Sequence, residues 1–102
     1  MRNAVIIDPR DSVAVAIEPV RQGEAVLYEC EGREIHMTAQ EDIAIYHKIA
    51  VRDIIPGEPV VKYGEHIGIA SRPIQKGGHV HTHNLESRRE SLETGTEEEK
   101  GI

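Results

Sequence analysis

The chain has 102 residues and a formal net charge of −6, which suits one small domain with one modest core. Nucleic-acid binders present a basic face to the phosphates, so this acidic balance argues against that class of partner. There is no Phe or Trp and only three Tyr. The core must therefore be built from Val, Ile, Leu and Ala, and a closed substrate pocket would need a second surface from another chain or another copy.

Compartment can be predicted from the cysteine count and from the apolar runs. Cys30 is the single cysteine, so an internal disulfide is excluded and a reducing compartment is expected. The first residues contain no long apolar run of the signal-peptide kind, and no segment reaches membrane-spanning length. These features predict a soluble, cytoplasmic protein without a membrane partner.

A pattern centred on a glycine occurs three times. When Gly23, Gly57 and Gly77 are aligned, apolar residues fall into four columns at matched distances from the glycine. The pattern predicts a strand, a tight turn in which glycine takes a positive φ, and a second strand, as a repeated hairpin-like unit. Unequal separations between the glycines exclude a regular solenoid. The four columns are Val15, Ile49, Ile69; Ala16, Ala50, Ala70; Val20, Ile54, Ile74; and Val26, Val60, Val80.

The segments around these units are also short and strand-like. Residues 25–30 and 33–37 read as strands around a turn at Glu31 and Gly32, and the run from Val60 is expected to break at Gly64. Thr38 with Glu41 three residues later is typical of a capping box for a short helix, and a plain loop is the equal alternative. The sequence predicts a compact, mainly β domain of short strands and hairpins over residues 1–84.

Residues 85–102 differ in composition from the rest of the chain. They hold six Glu against three basic residues and few apolar side chains, so burial cannot offset their ordering entropy. We expect a charged, disordered tail. The competing interpretation is a helix over residues 85–92 that packs on a partner.

Three histidines at alternate positions mark the first candidate site. His79, His81 and His83 would point to the same face of a strand. Neutral imidazole is a common ligand of zinc, iron and copper, so the pattern favours a metal site. The alternative is a solvated strand face that happens to be rich in histidine.

Polar side chains gather at two further places. His47 and Lys48 precede the second unit, and Lys62, Tyr63 and Glu65 precede the third. Lysine and tyrosine suit the binding of an anion and its hydroxyls, and either can act as an acid or base when its pKa is shifted. The alternative is that the lysines are ordinary solvated side chains and that Tyr63 is a half-buried aromatic residue.

Two stretches carry a resemblance to a known family. Residues 62–70, KYGEHIGIA, and residues 74–84, IQKGGHVHTHN, resemble the small N-terminal domain of the altronate and galactarate dehydratases, and residues 47–60 resemble its earlier part. That domain is of the SAF or β-clip type. The resemblance covers about residues 11–84 and implies a lyase that dehydrates a sugar acid with a divalent metal, commonly iron(II). The same family includes sulfolactate sulfo-lyase, in which sulfite is the leaving group and the small domain is a separate subunit.

The resemblance implies a division of roles. His81 and His83 would hold the metal, and the catalytic candidates are Lys62, Tyr63 and His47. The substrate-binding candidates are Lys48, Glu65, His79 and Asn84, the last through a bond to a substrate hydroxyl. Since the chain ends at residue 102, activity is expected to require a large catalytic subunit.

Other functions remain open at this level. The chain could be a stand-alone module that binds a small hydroxy acid or sugar acid without turnover, or a fragment that stores or senses metal. Edge strands and a thin core also make a homo-oligomer plausible.

Overall fold

The computed structural model describes residues 2–87, and in this range the chain forms short strands and no helix. The pairings between the strands are antiparallel. The mainly β prediction is therefore confirmed, and the residues after Thr38 form a loop instead of a capped helix. The strands are β1 (Ala4–Val5), β2 (Val13–Ala16), β3 (Ala25–Cys30), β4 (Arg33–Thr38), β5 (Lys48–Ala50), β6 (Pro59–Lys62), β7 (Glu65–Ala70), β8 (His79–Val80) and β9 (Leu85–Ser87).

The strands are arranged in three small sheets. The first has the order β1-β2-β5-β8, the second is the pair β3-β4, and the third has the order β6-β7-β9. Two tight turns close the hairpins β3-β4 and β6-β7. Both central residues of each turn have positive φ, 51° and 79° at Glu31 and Gly32, and 56° and 75° at Tyr63 and Gly64. Positive φ at both positions matches the right-handed twist of the flanking strands.

The end of the described chain differs from the sequence-based boundary. Strand β9 pairs with β7, with Leu85 opposite Ala70, so the ordered domain continues for three residues beyond Asn84. The start of the alternative helix over residues 85–92 is therefore a strand. The remainder of the predicted tail, residues 88–102, lies outside the described residues.

The glycine-centred units keep their predicted turn but not their predicted pairing. Gly23, Gly57 and Gly77 have φ of 88°, 86° and 87°, as the repeat requires. The hairpin-like unit is wrong, however, because the two strands that flank each glycine belong to different sheets. β2 leads into β3, β5 into β6, and β7 into β8. Each unit is therefore a connection between sheets, and its strands pair with strands of another unit.

The structure contains a fourth copy of this unit that lacks the glycine. Ala39, Ile43 and Tyr46 have the same spacing as the alanine, the branched residue and the glycine of the other copies. Tyr46 has a φ of 69° and occupies the glycine position. Its backbone N–H donates to the carbonyl of Ala16, and the Gly23 N–H donates to the carbonyl of Ala39. The first and fourth copies are thus interlocked by reciprocal hydrogen bonds.

The two other copies are interlocked by the same scheme. The Gly57 N–H donates to the Ala70 carbonyl and the Gly77 N–H donates to the Ala50 carbonyl, while Ile54 and Ile74 form a two-way backbone bridge. The chain is therefore two interlocked pairs of one small motif, and each pair has its own core cluster.

The core follows three of the four predicted apolar columns. The alanine column, the column that begins at Val20 and the column that begins at Val26 are at most 4% exposed. In the remaining column Ile49 is buried, whereas Val15 and Ile69 are half-buried. Because β5 pairs with β8, with Ile49 opposite His79, the histidines near both strand ends are brought together.

Candidate metal cluster and anion cleft

Three imidazole rings from two strand ends form a cluster. The ring centroids of His47 and His81 are 4.4 Å apart, those of His47 and His79 are 5.0 Å apart, and those of His79 and His81 are 5.5 Å apart. Nδ1 of His47 lies 2.8 Å from Nε2 of His79. One nitrogen of each ring lies within 4.8 Å of the other two. His47 thus joins the histidines of the HVHTHN segment at a common point.

The cluster is not formed by a continuous strand. Strand β8 ends at Val80, and the next four residues form a turn. The prediction that His79, His81 and His83 alternate along one strand face is therefore wrong, although the rings still gather. His83 reaches His79 from within the turn, with ring centroids 5.3 Å apart.

Asn84 holds this turn in shape. Its Oδ1 accepts a hydrogen bond of 2.9 Å from the His81 N–H, and its Nδ2 donates one of 2.8 Å to the His79 carbonyl. The side chain is 5% exposed and both ends of its amide are engaged by backbone. Instead of pointing to a substrate hydroxyl, Asn84 closes the backbone that carries the histidines. A buried amide with two backbone partners is a rigid support.

The environment of the cluster favours neutral imidazole. Burial and the neighbouring His47 and His83 lower the pKa of His79, opposed in part by Glu41. Desolvation, His47 and Lys48 lower the pKa of His81. Neutral imidazole has the free lone pair that a metal ligand needs.

One pair of donor atoms in the cluster has nearly the spacing that a transition-metal ion requires. Imidazole nitrogens bind such ions at about 2.0–2.1 Å, so two nitrogens on one ion are separated by about 2.9–3.4 Å. The distance of 2.8 Å between His47 Nδ1 and His79 Nε2 is close to that range. A set of three imidazoles suits zinc, iron, copper and nickel.

A second group of donors shares one histidine with the first. Glu41, His79 and His83 also place one ligand atom each within 4.8 Å of one another. His81 and His83, the ligands predicted from the sequence, therefore belong to different groups. Glu41 was not predicted as a ligand because it lies 38 positions from His79 in the sequence. Only the tertiary structure brings the two residues together.

An open cleft of about 630 Å³ adjoins the cluster at His81. Lys48 on β5 and Lys62 on β6 lie in its wall, and both are half-buried. Burial and the positive charge of Lys62 lower the pKa of Lys48. Two ammonium groups at one wall attract an anion, so the cleft suits a small carboxylate. The lining residues are Lys48, Lys62, Ile67, His81, Thr82, Leu85 and Glu86.

Two predicted site residues lie next to the cleft wall without forming it. Tyr63 is 55% exposed in the β6-β7 turn, with its ring 4.7 Å from Nζ of Lys62. Glu65 is exposed and pairs with Lys62 in the strand ladder. Neither is among the described residues that line the cleft. The cation–π contact places Tyr63 so that it can orient Lys62.

Within residues 2–87, no helix has the length and apolar character that a membrane crossing requires.

Comparison with known proteins places the chain in a family. A family model described as the altronate/galactarate dehydratase SAF domain matches residues 2–88. The (2R)-sulfolactate sulfo-lyase subunit alpha of Chromohalobacter salexigens is 34% identical over 88 residues, which are 83% of this chain and 94% of that protein. The corresponding subunit of Paracoccus pantotrophus is 41% identical over 59 residues, 58% of this chain and 88% of that protein.

A larger enzyme is similar in a small part of its length. Altronate dehydratase of Escherichia coli is 37% identical over 83 residues, which are 81% of this chain and 16% of the enzyme. The chain thus matches a whole small subunit in one kind of lyase and a minor part of a longer dehydratase. It belongs to the altronate/galactarate dehydratase SAF-domain family and is a lyase-family protein.

Proposed function

We propose that the chain is the small subunit of a two-part lyase that acts on a small hydroxy acid together with a large catalytic subunit. The observation that carries the proposal is the anion cleft with two lysines in its wall, adjoining a cluster of three histidines. The similarity to subunits named alpha over nearly their whole length supports a second chain. The openness of the cleft on one side also leaves room for a partner surface.

The reaction implied by the family is a β-elimination. A proton leaves the carbon next to the carboxylate, its electron pair forms a carbon–carbon double bond, and hydroxide or sulfite departs from the neighbouring carbon. The resulting enol then becomes a keto acid. Hydroxide as the leaving group corresponds to a sugar acid such as altronate or galactarate, and sulfite corresponds to sulfolactate. The same cleft serves either reaction because both substrates carry a carboxylate and a hydroxyl.

The cleft lysines are assigned complementary roles. Lys62 holds the substrate carboxylate, and the ring of Tyr63 fixes the direction of the ammonium group. Lys48 has a lowered pKa and is therefore better suited to accept a proton. Glu65 lies opposite Lys62 on the neighbouring strand. In this proposal Tyr63 positions Lys62 and takes no direct part in catalysis.

The histidines hold the metal in this proposal. His47, His79 and His81 would bind a divalent ion, and iron(II) is the ion that the family resemblance implies. When bound, the ion supplies a Lewis acid that polarises the carboxylate and hydroxyl oxygens of the substrate. His47 and His79 complete the cluster, and His81 belongs to both the cluster and the cleft wall.

The cytoplasmic location and self-association of the chain stay predictions.

A reconstitution experiment tests the proposal. The chain is co-expressed with the large subunit encoded by its host, and the purified mixture is assayed with (2R)-sulfolactate, altronate and galactarate. We expect stable association and turnover of one of these acids by the mixture alone. Tight binding of the acid by the isolated chain, with no association and no turnover, would instead support a stand-alone binding module.

A further inference from the structure

A second donor group adjoins the three-histidine cluster at His79. Glu41 and His83 complete it, and neither is among the described residues that line the cleft. His79 is the member common to this group and to the three-histidine cluster. The ring of His83 is tilted by 38° from that of His79, so the two rings are not stacked in parallel.

The backbone places Glu41 at this position. The Gln40 N–H donates to the Gly77 carbonyl at 2.9 Å, which fixes the loop after β4 against the turn before β8. One carboxylate oxygen of Glu41 then accepts a hydrogen bond of 3.1 Å from the His79 N–H. A carboxylate has a second oxygen with free lone pairs, so Glu41 retains a ligand atom. The carboxylate is therefore held by the fold at the edge of the cluster.

The two groups differ in chemistry. Three imidazoles form a neutral, nitrogen-only set, whereas Glu41 adds an anionic oxygen to two imidazoles. Carboxylate oxygen suits manganese(II), whereas imidazole suits iron(II), zinc(II) and copper. Zinc(II) is bound by three imidazoles as well as by two imidazoles and a carboxylate, so it does not depend on Glu41. Manganese(II) therefore gains more than zinc(II) from the position that includes Glu41.

We propose that Glu41, His79 and His83 form a second cation position, which takes oxygen-preferring divalent ions and competes with the three-histidine position for His79. An ion at this position engages the imidazole that the three-histidine position needs. A neutral imidazole has one unprotonated nitrogen, so His79 binds one ion at a time. The choice of ion decides which position is filled. This proposal goes beyond the lyase function and requires no turnover.

Manganese(II) and zinc(II) distinguish the two positions. The loss of the free manganese(II) signal in electron paramagnetic resonance gives the manganese affinity of the full chain, and zinc affinity is measured by calorimetry. We expect Glu41→Gln to weaken manganese binding at least tenfold and to leave zinc affinity within twofold. The glutamine oxygen can still accept the hydrogen bond from His79, so the fold is retained. Glu34→Gln, an exposed carboxylate on β4, is the control and should change neither affinity.

The reverse variant and the stoichiometry complete the test. His47→Ala should weaken zinc binding and leave manganese binding unchanged, and zinc should displace manganese at a ratio of one ion per chain. Manganese binding that is unaffected by Glu41→Gln would overturn the second position. Simultaneous binding of both ions would overturn the sharing of His79. Failure of the lyase proposal would appear separately, as a lack of turnover in the reconstituted mixture.

Discussion

Substitution of two equivalent glycines tests how closely the turn before β8 packs against the end of β4. Gly57 and Gly77 have nearly the same φ, 86° and 87°, so alanine meets the same backbone strain at both. That strain costs about 1–2 kcal/mol, and alanine recovers about 0.4–1 kcal/mol by restricting the unfolded chain. At Gly57 a new Cβ meets nothing within 4 Å. We therefore expect Gly57→Ala to lower the free energy of unfolding by about 1 kcal/mol.

The surroundings of Gly77 are different. A Cβ at this position would overlap the carbonyl oxygen of Thr38, far inside van der Waals contact. The overlap adds about 1–3 kcal/mol, as overpacking does elsewhere in protein interiors. Gly77→Ala should therefore be the more destabilising variant by at least about 1 kcal/mol. Urea unfolding followed by circular dichroism gives both values, and equal losses at the two positions would refute the close approach of Gly77 to Thr38.

Three further predictions concern the turn and cleft residues. Tyr46→Gly should raise the free energy of unfolding by up to about 1 kcal/mol, because it removes a side chain from a left-handed conformation; a loss of stability in urea unfolding would contradict this. Asn84→Ala should lower it by about 1–3 kcal/mol and weaken zinc binding, since two part-buried backbone groups lose their partner. An unchanged zinc affinity in calorimetry would show that the turn does not depend on Asn84. Lys62→Met should raise the pKa of Lys48, because the positive neighbour is removed, but leave it below the ordinary lysine value, because burial remains. An unchanged pKa in an NMR titration of the Lys48 side chain would exclude coupling between the two lysines.

The glycine repeat could be predicted because its physical requirement is visible in the sequence. A positive φ selects glycine, so Gly23, Gly57 and Gly77 mark three turns. The fourth turn was missed because Tyr46 occupies the left-handed position. Its φ of 69° accompanies the backbone hydrogen bond that its N–H donates to Ala16. Strain of this kind cannot be recognised from residue type alone.

The repeat could not predict which strands pair with each other. Matched apolar columns show which residues are buried, and three of the columns are indeed buried. They do not show whether the strands of one unit pair with each other or with those of another unit. The structure shows that β5 pairs with β8 and β6 with β7, so contacts cross between copies. The pairing of distant strands depends on all the turns together and not on the sequence of one segment.

The histidine site could be predicted in part. The alternation of His79, His81 and His83 correctly indicated a gathering of rings, but the assumed strand ends at Val80 because Asn84 turns the backbone. Glu41 entered the cluster through the pairing of the loop after β4 with the turn before β8. Neither effect has a local sequence signal.

The most direct test of the account is turnover by the reconstituted two-subunit lyase with one histidine removed from the small subunit. His81→Ala should associate normally with the large subunit and reduce turnover at least a hundredfold, because His81 joins the metal cluster to the cleft. His36→Ala, an exposed histidine on β4, is the matched control and should retain full turnover. Full turnover by the His81 variant in a correctly assembled complex would contradict the role assigned to the cluster.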